Sequence, residues 1–128
     1  MKTIWTNGCY DIVHIGHIKL FEYAKSLGDK LIVGIDSDKR IKSSKGESRP
    51  INNEQYRKFI LESIRFIDEV VVFDTSDQLA EHIKNFNIAT IVVGDDYKNK
   101  YVIGSEYADV IFFPKLSNIS TSSILKKI

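Results

Sequence analysis

The feature that most constrains this chain is the alternation of short, almost wholly apolar runs with amphipathic stretches. Thr3 to Thr6, Lys30 to Ile35, Glu69 to Phe73, Thr90 to Val93 and Val110 to Phe113 read as strands, several with the continuous apolar character of strands covered on both faces. Between them, Gly16 to Leu27 carries Ile18, Phe21, Ala24 and Leu27 at helical spacing. The stretch from Asn53 carries Phe59, Ile60, Ile64 and Ile67 in the same way, and Ser76 can cap a helix holding Leu79, Ala80 and Ile83. Ser120 can cap a last short helix through Lys127. Strands and helices alternating in units of about 25 residues imply right-handed crossovers and a parallel sheet. The expected fold is therefore α/β: one doubly wound domain over residues 1–128, with about five parallel strands and helices on both faces. Asp36 to Pro50 is polar, basic and aperiodic, and reads as a long connection.

Composition narrows the function. Apolar residues at 43% and charged residues at 27% exclude a disordered chain. A net charge of +1 argues against nucleic acid or a membrane surface as partner, and no apolar run approaches the ~20 residues of a spanning helix. No secretory segment follows Lys2, so a cytoplasmic protein is expected. Charge is unevenly placed, however. Lys39, Arg40, Lys42, Lys45, Arg49, Arg57, Lys58 and Arg65 face only Glu47, Glu54 and Glu62 within the same stretch, which makes a local anion site plausible.

The strongest chemical signal is Thr6-Asn7-Gly8-Cys9-Tyr10-Asp11-Ile12-Val13-His14-Ile15-Gly16-His17, between the first strand and the first helix. His14 and His17, three apart at a helix start, can point the same way over a helix end whose amides favour an anion. Gly16 between them lets a ligand approach the backbone. Zinc would need a third ligand, and the next histidine, His82, belongs to another helix. Arg57 and Arg65, eight apart, are two helical turns apart and so share roughly one face, while solvation accounts for Lys39, Arg40 and Lys58. Asp95 and Asp96 follow the fourth strand, where they can make a turn or meet a hydroxyl or Mg²⁺. Ser120, Thr121 and Ser122 open the last helix and can cap it or donate to phosphate. No P-loop and no dinucleotide fingerprint occurs.

Taken in order, His14-Ile15-Gly16-His17, Arg65 in ESIRF, Gly94-Asp95-Asp96 and Ile119-Ser120-Thr121-Ser122 resemble the cytidylyltransferase-like nucleotidyltransferases, a superfamily with a Rossmann-like fold. GHIKLFEYAKSLGD, LESIRFIDEV, VVGDDYKNK and PKLSNISTSSI are most similar to the glycerol-3-phosphate cytidylyltransferases. TNGCYD, KGESRPINNEQ and YKNKYVIGSE instead resemble the adenylyltransferase domain of heptose 1-phosphate enzymes. Lys115-Leu116-Ser117-Asn118 also stands where the cytidylyltransferase pattern has Arg-Thr-Glu-Gly.

The resemblance implies transfer of a nucleotide from a triphosphate, brought with Mg²⁺, to a small phosphorylated polyol or sugar. CTP and glycerol 3-phosphate giving CDP-glycerol is the first expectation; ATP and a heptose 1-phosphate is the alternative, and a catalytically silent nucleotide-binding regulator a third. It further implies catalytic roles for His14, His17, Lys45 and Arg65, and nucleotide contacts from Thr6, Asn7, Gly8, Tyr10, Gly16, Asp95, Lys115, Ser120, Thr121 and Ser122. Acceptor contacts are expected from Asp11, Lys45 and Arg57. No protein metal ligand is assigned, and a homodimer is expected.

Overall fold

A computed structural model describes residues 1–114. Five strands form one parallel sheet: β1 (Thr3–Gly8), β2 (Lys30–Asp36), β3 (Glu69–Phe73), β4 (Thr90–Gly94) and β5 (Asp109–Phe113), in the order β3-β2-β1-β4-β5. The helices are α1 (Ile15–Ser26), α2 (Asp38–Lys45), α3 (Glu54–Glu62) and α4 (Ser76–Asn85), with a 3-10 turn at Asp95–Tyr97. β1 is central and pairs with β2 on one side and β4 on the other. The order reverses there, and the crevice beyond the carboxyl end of β1 is where such sheets bind ligands.

The pleat sends alternate side chains to two separate cores. Ile4, Leu31, Val33, Ile35, Val70 and Val92 pack with Phe21 and Ala24 of α1 and Leu61 of α3. Trp5, Ile32, Phe73, Ile91 and Val93 pack with Leu79 and Ile83 of α4 on the opposite face. The Trp5 indole crosses β2 at Gly34, where a Cβ would stand 2.4 Å from its Cζ2. A residue without a side chain is required at that crossing.

The structure corrects three sequence expectations. The stretch from Asp36 to Pro50 is not wholly a connection, because α2 forms within it. Ser37 caps this helix, its Oγ accepting from Arg40 N at 3.1 Å. Only Ile41 of α2 is buried, so the helix leaves no periodic apolar trace. β1 runs on through Asn7 and Gly8, since pairing with β2 continues to Gly8–Ile35. Finally, α3 stops at Glu62, and its buried positions are Arg57 and Leu61. Phe59 and Ile60, two of the apolar positions at helical spacing, are 72% and 43% exposed. The expected helix through Lys127 lies outside the described residues.

Candidate active site

α1 begins with an unusual cap. His14, with extended backbone, is its N-cap residue, and its Nδ1 accepts from Gly16 N at 3.1 Å. In return, His14 N donates to Nδ1 of His17 at 3.2 Å. The two imidazoles thus replace the hydroxyl and carboxylate of an ordinary capping box. With both Nδ1 atoms accepting, this network puts the proton of each neutral ring on Nε2, at the edge away from those amides. The rings stack at 3.8 Å between centroids. A Cβ on Gly16 would lie 2.9 Å from Cε1 of His14, so glycine here makes room for the imidazole itself, a role the sequence reading did not assign to it. Burial, aided by the neighbouring His14, pushes the His17 pKa down to about 4, which keeps its ring neutral at pH 7.

Tyr10 supports this pair from behind. Its backbone is in the left-handed region at φ 52°, and its buried ring meets His17 edge-on at 5.1 Å and Phe21 at 5.2 Å. Burial raises the pKa of its phenol. Thr6 is likewise buried, and Asn7 Oδ1 accepts from Trp5 Nε1 at 2.9 Å.

The paired imidazoles and their neighbours bound a cavity of about 830 Å³ at the carboxyl ends of the strands. Thr6, Asn7, Gly8, Tyr10, His14, Gly16, His17 and Lys45 line it. Asp96 lines it where Asp95 was expected. Arg40 reaches it too, and is no solvated charge: its Nε donates to Asp36 Oδ1 at 2.8 Å and its guanidinium lies 5.2 Å from the Phe73 ring centre. No periodicity marked Arg40, because the contacts that hold it come from other elements.

Three other expected site residues are not cavity-lining. Arg65 lies beyond α3, exposed, in the turn that enters β3 at the opposite end of the sheet, with its guanidinium 4.9 Å from the Phe66 ring centre. The end of α3 at Glu62 breaks the shared face with Arg57. Arg57 itself is fully buried. Its Nη1 donates to the carbonyls of Cys9 and Asp36 (3.0 and 2.7 Å), its Nε to Asn52 O (3.0 Å), and its Nη2 to Asp38 Oδ1 (2.8 Å). It is a staple between the ends of β1 and β2, not a direct acceptor contact. Asp11 does similar work. Its buried carboxylate accepts from the amides of Asn52 and Ile51 (2.8 and 2.9 Å) and from Arg49 Nε (3.1 Å). Burial opposes ionisation of Asp11, but these donors outweigh it and hold its pKa below the usual carboxylate value. Lys115, Ser120, Thr121 and Ser122 lie outside the described residues.

A parallel sheet whose central strand leads into paired imidazoles at a helix start, facing cations across a cavity, defines the class: a nucleotidyltransferase. The chain belongs to the cytidylyltransferase-like family, matched over residues 5–127. It is 47% identical over 130 residues to the bifunctional protein HldE of Campylobacter jejuni subsp. doylei, covering 99% of this chain and 28% of that protein. It is 43% identical to the bifunctional protein HldE of Aliarcobacter butzleri, covering 99% and 27%. The chain therefore spans less than a third of these relatives. Two solved structures share the fold. One is the lipopolysaccharide core biosynthesis protein from Thermoplasma volcanium (TM-score 0.67, 20% identity, 91% of this chain and 97% of that one). The other is pantothenate synthetase from Thermus thermophilus (TM-score 0.64, 13% identity, 98% and 64%).

These relatives overturn the first expectation, formation of CDP-glycerol from CTP and glycerol 3-phosphate. The motifs that suggested it are shared between the branches of the superfamily that the sequence resembles. They carry no information about the base. Among the described residues no helix is long and apolar enough to cross a membrane.

Proposed function

We propose that this chain is an ATP-dependent adenylyltransferase acting on a heptose 1-phosphate or a similar sugar phosphate, in the cytoplasm. The observation that carries the reading is the stacked His14–His17 pair at the start of α1, in a cavity shared with Lys45 and Arg40. The choice of ATP and a sugar phosphate is supported by the three stretches that resemble the heptose 1-phosphate adenylyltransferases, and by the HldE relatives.

In this reading a phosphate oxygen of the acceptor attacks the α-phosphorus of ATP in line. As that P–O bond forms, the bond to the bridging oxygen breaks and pyrophosphate leaves, with no covalent enzyme intermediate. His14 and His17 donate Nε2–H to phosphate oxygens whose charge grows in the transition state, and α1 adds its amides and dipole. Their mutual hydrogen bonding holds both rings ready, so little reorganisation accompanies the reaction. Lys45 and Arg40 hold the acceptor phosphate, and Ser120, Thr121, Ser122 and Lys115 contact the triphosphate. Arg57 and Asp11 position the two loops. Mg²⁺ enters with ATP as part of the substrate; the Asp36 and Asp96 carboxylates in the cavity wall are hard oxygen donors of the kind it accepts. Tyr56, Phe59, Ile60 and Ile51 expose an apolar face beside α3, which supports a homodimer.

The test is pyrophosphate release by the purified chain with each of four triphosphates and a panel of phosphorylated sugars. ATP with a heptose 1-phosphate is expected to give turnover. Tight ATP binding without pyrophosphate from any acceptor would instead make the protein a regulator.

A further inference from the structure

The cavity has two chemically different sides, divided by the end of β1. On the β2 side stand Arg40, Ser43, Ser44 and Lys45 of α2. On the β4 side stand Asp96, Tyr97, Tyr101, Val102 and Ile103. The first side suits a phosphorylated acceptor. The second offers two exposed aromatic rings and, among the described residues, no cation; each side holds one carboxylate, Asp36 at the end of β2 and Asp96 beyond β4. Tyr97 is 46% exposed and Tyr101 68%, although both border the cavity.

The segment that carries these rings is anchored. Tyr101 Oη donates to Glu106 Oε2 at 2.8 Å, and Lys100 Nζ lies 5.7 Å from the Tyr97 ring centre. Val102 and Ile103 pack against the core under α4. Gly104, at φ +93°, lies so close to α4 that a Cβ would stand 2.4 Å from Ile83 Cδ1. Aromatic rings held at a cavity wall by such contacts form a platform for a flat, uncharged group. Of the groups the two substrates bring, only the base is flat and uncharged.

We propose that Tyr97 and Tyr101 form the wall on which the base of the nucleoside triphosphate stacks, so that they set donor affinity and leave acceptor affinity alone. The inference rests on the nucleotidyltransferase reading above and assigns the base to the β4 side of the same cavity.

The test compares Tyr97→Ala, Tyr101→Ala and the two Tyr→Phe variants of the full chain. The readouts are calorimetric binding of a non-hydrolysable ATP analogue and of inorganic tripolyphosphate, together with steady-state KM for ATP and the sugar phosphate. Both residues are exposed and neither belongs to a core cluster, so the variants should fold as the parent does, as circular dichroism would verify. Each alanine variant is expected to bind the ATP analogue about tenfold more weakly. Each phenylalanine variant should stay within about twofold, because the ring is what stacks. Affinity for tripolyphosphate and KM for the acceptor should not change.

Unchanged affinity for the analogue in both alanine variants would overturn the proposal. So would a rise in acceptor KM alone, which would place the rings against the sugar, or an equal loss of tripolyphosphate binding. A parent chain that binds tripolyphosphate as tightly as the analogue has no base subsite, which removes the wall and leaves the phosphate site. A parent that binds neither ligand overturns the underlying reading together with the wall.

Discussion

Replacing Arg57 by alanine should be the most damaging single change to the framework of the site. The side chain is fully buried and spreads four hydrogen bonds over Cys9 O, Asp36 O, Asn52 O and Asp38 Oδ1, at 2.7 to 3.0 Å. Alanine leaves three carbonyls without this donor and a space the size of a guanidinium between the ends of β1 and β2. Removing one partner of a buried ionic group costs about 3–5 kcal/mol. A chain of 128 residues has an unfolding entropy of about 0.27 kcal/mol/K at its midpoint. Tm should therefore fall by about 11–19 °C, read by circular dichroism and checked by urea denaturation. Arg57→Lys should recover only a minor part, because an ammonium cannot reach four oxygens lying around one plane. A fall of less than about 3 °C for the alanine variant would refute the reasoning, since it would mean that water satisfies those carbonyls equally well.

Three further outcomes are expected. His14→Ala and His17→Ala should each lower kcat by about 10²-fold or more in the pyrophosphate assay, with a smaller change in KM, as for loss of a transition-state donor; near-normal turnover in both would remove their assigned roles. The His17 pKa is about 4 in the folded chain against an ordinary 6.5, so on acidification the unfolded chain binds a proton the native one refuses, and stability is lost between about pH 6.5 and 4. His17→Asn should flatten that part of the stability profile, and an unchanged slope by urea denaturation would contradict the shift. Gly34→Ala should destabilise by about 1–3 kcal/mol, because its Cβ would meet the Trp5 indole at 2.4 Å within a packed core; a neutral result would show that the indole moves freely.

How much was legible beforehand depended on the range of the interaction. The parallel sheet followed from apolar runs such as Leu31 to Ile35, whose pattern reflects burial on both faces. The turn from β1 into α1 was readable for a similar reason: His14, Gly16 and His17 act on one another within four residues, so their spacing encodes their geometry. α2 was invisible because its stability comes from the Ser37 cap and neighbouring contacts, with a single buried side chain at Ile41.

Charge was the poorest guide. Arg40, Arg57 and Arg65 are alike in sequence, yet one lines the cavity, one is a buried staple and one is exposed at the far end of the sheet. The amino-acid order alone determined the alternating architecture and the paired imidazoles, since each arises from residues adjacent along the chain. Only the tertiary structure decided which cations meet the cavity, that Phe59 and Ile60 face solvent, and that two tyrosines stand opposite α2. Those facts are set by contacts between residues tens of positions apart, and local patterning does not record them.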